Sequence, residues 1–357
     1  MSDQVSPSFN QSSGNESTAC DQVDTSARLF FLLGHSLVFL VGLLLNGFTL
    51  KVYFCRAQQQ QQSSSVTVYL KNLVAADFLI SLCLPLRILN YSRTSVHIHL
   101  VYCNFGASAF YLNMYASILF MGYIAANRYL KIVHPLGTHI FQTVRAAHII
   151  STLTWLFLLA PVITYATLSL LSQKPLSPVP LSLGCDALHS QLLSTVYKVI
   201  HSCSVLVFLL VLVSLIFFYH STSRRLSLAQ KRQPASSSSK KLAKSRRNML
   251  VLVSVFCVCF VPYHLVRLPY AFLRKRCSWS QTFFYLKEVT VLLSVLNVCL
   301  DPLIYFIFCK AFRAQLNLKR AFSLTQATER RSSDGRMSIR FNRTTSLTTT
   351  TRQNSLL

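Results

Sequence analysis

Seven long apolar runs divide the chain, at about residues 29–55, 65–90, 101–133, 144–171, 190–220, 248–273 and 282–309, and polar and basic residues gather between and beyond them. Roughly 20 residues of helix cross about 30 Å of hydrocarbon, so each run is long enough to span a bilayer. Lipid offers no partners for open backbone groups, and the runs are too long and continuous for barrel strands. The pattern therefore predicts an all-α membrane protein, a seven-transmembrane helix bundle over residues 28–322. A polar segment, 1–27, precedes it and a Ser/Thr-rich basic tail, 323–357, follows. Low hydrophobicity and high charge predict disorder for that tail. Within the bundle domain, residues 310–322 predict a short amphipathic helix on the inner leaflet, with Phe312, Leu316, Leu318 and Phe322 toward lipid. Lys310, Arg313 and Arg320 point outward on that helix, and Lys319 must snorkel out of the apolar arc.

Composition removes the soluble alternatives. Hydrophobic residues make up 52% of the chain and charged ones 13%, with a mean hydropathy of +0.42, too little polar surface for a soluble domain of this length. The formal net charge of +25 would suit a nucleic-acid binder, but the basic residues flank the apolar runs. Arg224, Arg225, Lys231, Arg232, Lys240, Lys241, Lys244, Arg246 and Arg247 lie between the fifth and sixth runs with no acid among them. The positive-inside rule puts that segment and the basic tail in the cytoplasm and the N-terminus outside. Attraction to anionic lipid accounts for the charge. Residues 1–27 carry no signal-peptide pattern, so the first span is expected to insert itself. Glycosylation sequons at Asn10 and Asn15 fit an external N-terminus, and a third, Asn90-Tyr-Ser92, sits close to the membrane. Gln58 to Gln62 form a short solvated homopolymer.

The eleven cysteines sort by depth. Cys55, Cys83, Cys203, Cys257, Cys259, Cys299 and Cys309 lie in apolar runs, where a cysteine is usually a small buried hydrophobe. Cys20, Cys103, Cys185 and Cys277 face the oxidising side, and four cysteines allow three pairings. The favoured set is Cys103–Cys185 with Cys20–Cys277, a choice that spacing does not prove.

Ionisable residues inside a membrane are costly and mark function. Asp77 and Asp301 lie within apolar runs, and Arg128 ends the third. Two carboxylates close together in low dielectric require a cation or a proton between them. At the outer end of the sixth run, His264, Arg267 and Tyr270 repeat every three residues on one helical face. With Lys287 they present an imidazole, a guanidinium and an ammonium, a set that suits a phosphate. The competing reading is that these cations snorkel or pair with Glu288 or Asp186. No nucleophile–base pair or metal cluster supports an enzyme. No internal repeat supports a transporter, and Val295 stands near the depth at which a retinal pigment carries Lys.

Several motifs taken together resemble class A G-protein-coupled receptors over nearly all of residues 28–322. They are Asn46, Leu73-Val-Ala-Ala-Asp77, Cys103, Asn127-Arg128-Tyr129, Trp155, Phe260-Val-Pro262 and Asp301-Pro302-Leu-Ile-Tyr305. Tyr69-Leu-Lys-Asn72, Phe110-Tyr-Leu-Asn-Met-Tyr115, the stretch from Phe260 to Tyr270, and Lys287-Glu288 are similar to the purinoceptors that sense ADP and UDP-sugars and to their orphan and lipid-sensing neighbours. The resemblance implies an extracellular ligand, a nucleotide or nucleotide-sugar, held by Arg267, Lys287, His264, Tyr270, Tyr111 and Tyr115, with Tyr197 and His201 from the fifth helix. A phospholipid such as platelet-activating factor or a lysophospholipid is the alternative ligand, and would need an apolar side entrance between helices.

The resemblance further implies a sodium pocket of Asp77, Ser117, Asn297 and Asp301, and a hinge at Pro262 beside Phe260, which stands where many relatives carry Trp. It implies that Arg128 moves toward Tyr219 and Tyr305 as the sixth helix swings out to admit a heterotrimeric G-protein of the inhibitory class, lowering cyclic AMP. Asn127 stands where such receptors usually carry an acid, so the ion pair that holds Arg128 at rest is missing. Receptor kinases and arrestin are the partners implied for Ser332, Ser333, Ser338 and the hydroxyl cluster from Thr344 to Thr351.

Overall fold

The computed structural model of the chain describes residues 25–57, 64–92, 95–133, 140–172, 185, 190–232, 237–273 and 277–308. Two units are distinguished, Met1–Phe308 and Cys309–Leu357, and every described residue belongs to the first. Among the described residues all regular structure is helical. Seven segments are long and apolar enough to cross a membrane: Ala27–Val52, Ser65–Ser92, Val96–Val133, Val144–Leu171, Gln191–Ala229, Ala243–Phe272 and Thr282–Phe308. These are the first to seventh spans. The predicted amphipathic helix at 310–322, the tail, Asn10, Asn15 and Cys20 lie outside the described residues, as do Asp186 and the side chain of Cys277.

The third span is the axis of the bundle, with 61% of its apolar window buried against 17% for the fifth. It begins earlier than hydropathy suggests. Ser95 caps Val96–Val101, its side chain accepting from the His97 N–H, so residues expected in a loop are helical. A π turn, Tyr102–Gly106, then joins this piece to the helix Ala107–Val133. Its consecutive residues reach three neighbours. The Tyr102 hydroxyl accepts from Arg87 at 2.8 Å, Cys103 is disulfide-bonded to Cys185, and Asn104 accepts from Ser169 on the fourth span at 2.6 Å.

The fifth and sixth helices also outrun their apolar stretches, as Gln191–Arg232 and Ser237–Leu273. Much of the basic segment between them is thus helix. Apolar runs mark only what lies in lipid, whereas Arg, Lys, Leu, Ala and Gln are good helix formers in water as well.

Prolines leave carbonyls that need new partners, because each lacks the N–H that would bond four residues back. Pro302 frees the Val298 carbonyl in this way, and the Asn46 side chain of the first span donates to it at 2.9 Å. The same amide donates to the Gly42 carbonyl at 3.0 Å. The seventh span is interrupted at Leu296 between helices Cys277–Val295 and Asn297–Phe308. Gly42 permits the contact, since a Cβ there would lie 2.5 Å from Val298 Cγ1 and 3.3 Å from Ser81 Oγ. Elsewhere the Trp155 N–H donates to Asn72 Oδ1 at 2.9 Å, fastening the fourth span to the second.

Gly42→Val is therefore expected to wedge the first span from the second and seventh, an overpacking cost of about 1–3 kcal/mol. A lower thermal midpoint in detergent, with normal stability for the same change at Gly47, which has open space around its Cα, is the outcome that checks it.

Candidate functional site

Three cations are sunk into one half of the bundle; two of them share a carboxylate and the third is caged by aromatic rings. Arg87 of the second span donates to Glu288 of the seventh at 2.6 Å. Its guanidinium lies 5.6–5.9 Å from the ring centres of Tyr91, Tyr102 and Phe110. Lys287 bonds the other oxygen of the same carboxylate at 2.8 Å, and the Tyr91 hydroxyl donates to Glu288 as well. One anion thus serves two cations, all three residues being buried. A buried carboxylate so enclosed is a structural tie between spans as well as a charge.

Arg267 of the sixth span sits in an aromatic cage. Its Cζ is 5.3 Å from the Tyr111 and Tyr197 ring centres and 5.5 Å from that of Tyr270. It donates to the Tyr197 hydroxyl and lies 3.4 Å from His201 Nε2. Lys287 Nζ is 4.9 Å from the centre of the same Tyr270 ring, so this ring has a cation at 4.9 Å and another at 5.5 Å. A cavity of about 420 Å³ opens beside them, within the range of about 300–1,000 Å³ usual for small-molecule sites. Arg87, Arg267, Lys287 and Glu288 all reach its wall, three cations against one carboxylate, with Tyr111, Tyr115, Tyr197 and His201. Cys185, held by its bond to Cys103, lines it too.

His264 and Tyr270, also candidates from the sequence, stand behind that wall. With Nδ1–H donating to the Phe260 carbonyl at 2.8 Å, His264 Nε2 accepts from Tyr115 at 2.9 Å. Its ring stacks on Phe208, 3.7 Å between centres. Both ring nitrogens are thus engaged by the protein, and His264 supports Tyr115. Phe260 packs edge-on to Phe256 one turn away, and Pro262 sits inside the sixth helix beyond it.

Nearer the centre, Asp77 accepts from the Tyr305 hydroxyl and from Ser117 Oγ at 3.4 Å, with Asp301 beside it. All four candidate sodium ligands, Asp77, Ser117, Asn297 and Asp301, are fully buried. Both polar side-chain atoms of Asn297 and both carboxylate oxygens of Asp301 are buried without a hydrogen bond. Oxygen donors left in this way fit a hard monovalent cation. Among the described residues no group of three or more His, Cys, Asp or Glu is placed to hold a metal.

At the inner end Asn127 Nδ2 donates to Ser65 Oγ at 2.8 Å. Arg128 donates to the Phe308 carbonyl at 3.3 Å and covers the Phe308 ring at 4.8 Å. Tyr129 stacks on Phe218. Tyr219 faces a crevice of about 520 Å³ with Lys244, Arg246 and Arg247. In this arrangement Tyr305 serves Asp77 and Tyr219 lies in the crevice between the fifth and sixth helices.

Residues 13–305 match the family described as 7 transmembrane receptor (rhodopsin family). The chain belongs to that family. It is 36% identical to purinoceptor 14 of Bos taurus over 284 residues, 78% of this chain and 82% of the relative. It is 30% identical to purinoceptor 13 of Rattus norvegicus over 320 residues, 88% of this chain and 92% of the relative. G-protein coupled receptor 87 of Mus musculus is 31% identical over 314 residues, covering 87% and 84% of the two chains. The chain is a rhodopsin-family receptor of the purinoceptor-like branch, a multi-pass protein of the plasma membrane and not an enzyme.

Some of this receptor's site escaped the sequence reading. Arg87 was not singled out, although a lone Arg in an apolar run two residues past Pro85 is the sort of intramembrane charge that signals a site. Tyr91 and Tyr102 become notable only through Arg87. Asn90 is buried and bonded to His99 Nδ1 at 2.8 Å, so its amide is not presented for glycosylation. Cys203, expected to be buried, is exposed and lines the cavity.

Removing one partner of a buried ion cluster costs about 3–5 kcal/mol, because the remaining charge is stranded. Glu288→Ala is accordingly expected to lower the thermal midpoint of the purified receptor sharply. Arg87→Met combined with Glu288→Ala, which strands only Lys287, should recover part of the loss; equal loss in the double variant would show that the pair does not tie the second span to the seventh.

Proposed function

We propose that this receptor responds to an extracellular nucleotide or nucleotide-sugar and signals through inhibitory G-proteins, lowering cyclic AMP. The observation that carries the proposal is the concentration of positive charge on the cavity wall: Arg267 in its aromatic cage and Lys287 at the same tyrosine ring, with Arg87 adding a third cation. A planar guanidinium binds phosphate oxygens in pairs, an ammonium adds a point charge, and low local dielectric strengthens both. Tyr111 and Tyr115 offer flat apolar surface and hydroxyls for the remainder of such a ligand. Two of the relatives named above are called purinoceptors.

The signalling half of the proposal follows from the inner end. Arg128 is held by a carbonyl and a ring rather than by a carboxylate at position 127, contacts that a helix movement can exchange for others at Tyr219 and Tyr305. The N-terminus is assigned outside and the Lys/Arg-rich ends of the fifth and sixth helices inside, following the positive-inside rule. Sodium, if taken up by Asp77, Ser117, Asn297 and Asp301, would supply a counter-charge and favour one helix arrangement. Receptor kinases and arrestin are assigned to the hydroxyl-rich tail.

In cells expressing the chain, ADP, UDP and UDP-glucose are to be compared by inhibition of cyclic AMP, and at least one is expected to act. Arg267→Ala should weaken that agonist by about 2–5 kcal/mol, a potency loss of roughly 30-fold or more. Undiminished potency at matched surface expression removes Arg267 from the site. Asn127→Asp supplies the absent carboxylate beside Arg128 and is expected to lower agonist-free signalling; basal activity equal to that of the unaltered receptor would reject the missing ion pair as a cause of weak resting restraint.

A further inference from the structure

A cationic motif on the fifth helix belongs to neither the cavity nor the crevice. Arg224-Arg225-Leu226-Ser227 sets two guanidinium groups three and two residues before a hydroxyl, a spacing that basophilic Ser/Thr kinases read with carboxylates in their clefts. The helix that bears it, Gln191–Arg232, has 42 residues; at about 63 Å it is roughly twice as long as the hydrocarbon is thick. The apolar run gives out near His220, so Ser227 stands beyond it. Ser227 is exposed, and its Oγ donates to the Ser223 carbonyl at 3.1 Å. A kinase binds such a motif as extended chain, so the turns from Ser223 to Arg232 have to open. They close the helix, and among their described side chains Leu226 alone is buried, so they give up little packing when they fray.

We infer that Ser227 is a phosphorylation site for a basophilic Ser/Thr kinase, and that its phosphate ties the fifth helix to the sixth. In the reaction Ser227 Oγ attacks the γ-phosphorus of Mg-ATP, the bond from that phosphorus to the bridging oxygen breaks, ADP leaves, and the hydroxyl proton passes to a base of the kinase. The product carries close to two negative charges. Arg224 and Lys231, three residues before and four after, share a helical face with it. Across the interface Thr222 meets Met249 at 3.6 Å. The two helices run in opposite directions, so a step of five residues on from Thr222 and five back from Met249 puts Ser227 at the height of Lys244. Lys244 lines the crevice beside Tyr219. No Asp or Glu occurs from Ala187 to Lys287, so no carboxylate of either helix competes for these cations. The helix dipole opposes a negative charge only within the last turn, and Ser227 lies five residues before the end. Such a bridge holds closed the crevice whose opening the proposed G-protein coupling requires. The inference rests on the proposed orientation, which puts these helix ends in the cytoplasm with kinase and ATP, and not on the ligand.

The test uses the full-length receptor in phosphatidylcholine nanodiscs, Mg-ATP, and the catalytic subunit of cyclic-AMP-dependent kinase, proved active on a reference peptide. Phosphopeptides are mapped by mass spectrometry. Phosphate at Ser227 is expected, forming at least tenfold more slowly in Arg224→Gln and in Arg225→Gln. A receptor left without phosphate at Ser227, or labelled there at an unchanged rate in both variants, overturns the site. Hydrogen–deuterium exchange then reads the tie: phosphorylation should slow exchange at least threefold in residues 222–232 and 243–249, and Lys244→Gln should remove the slowing in the second segment. Exchange that is unchanged or faster after phosphorylation overturns the tie. None of these readouts needs an agonist, so a receptor silent to nucleotides leaves the site intact. Nanodiscs expose both faces, so failure there counts against the site itself. Labelling in nanodiscs with none at Ser227 in cells whose cyclic AMP has been raised rejects the orientation instead, and the regulation with it.

Discussion

An ion sunk into a membrane bundle is costly unless an opposite charge or a polar cavity answers it. Glu288 meets that demand for Arg87 and Lys287 together and, in doing so, joins the second span to the seventh near their outer ends. The cluster sets the position of Tyr91 and Tyr102, which share Arg87, and of Tyr270, whose ring Lys287 covers. Tyr270 in turn is part of the cage around Arg267. The geometry of the cationic cavity wall is therefore inherited from one carboxylate. Glu288 is also the competitor that any incoming anion meets, since a phosphate drawn to Lys287 must share that ammonium with it.

The rest of the bundle divides into a tight and a loose half. The first, second, third and seventh spans are bound by specific polar contacts: Asn46 on the carbonyl that Pro302 releases, Tyr305 and Ser117 on Asp77, Asn127 on Ser65. The fourth and fifth are largely lipid-facing and barely meet each other. A site at the border between the halves combines rigid cations with a wall that is free to adapt. In a receptor this is a useful division, because ligand recognition needs fixed charges while activation needs helices that shift.

The number and approximate placing of the spans were legible because hydrophobic length is set by bilayer thickness. Arg267, Lys287, Tyr111, Tyr115, Tyr197 and His201 were legible through motif resemblance, and they line one cavity. Their partners were less so. Hydropathy carries no information on which carboxylate a lysine adopts, and both possibilities for Lys287 were open until Glu288 was placed 2.8 Å away. Arg87 was missed because its partners are 4, 15 and 201 residues distant, too scattered for any local pattern. Helix beyond the membrane was missed for a related reason: apolar runs report the solvent, not the backbone. His264 looked like an outer-facing ligand group from its spacing to Arg267, but a three-residue step leaves two side chains about 60° apart around the helix, enough to set it behind the wall.

The π turn at Tyr102–Gly106 has a consequence for how this receptor can change over evolutionary time. Each added residue rotates an α-helix by about 100°, so an insertion would ordinarily misdirect every side chain beyond it. A π turn absorbs one extra residue locally and leaves the flanking turns in register with their own neighbours. Tyr102, Cys103 and Asn104 make their three separate attachments within the turn, while Tyr111, Tyr115 and Arg128 lie on the helix that follows it. The third helix thus consists of two independently indexed parts. The part before the turn can change its side chains without rotating Tyr111, Tyr115 and Arg128 on the helix beyond it.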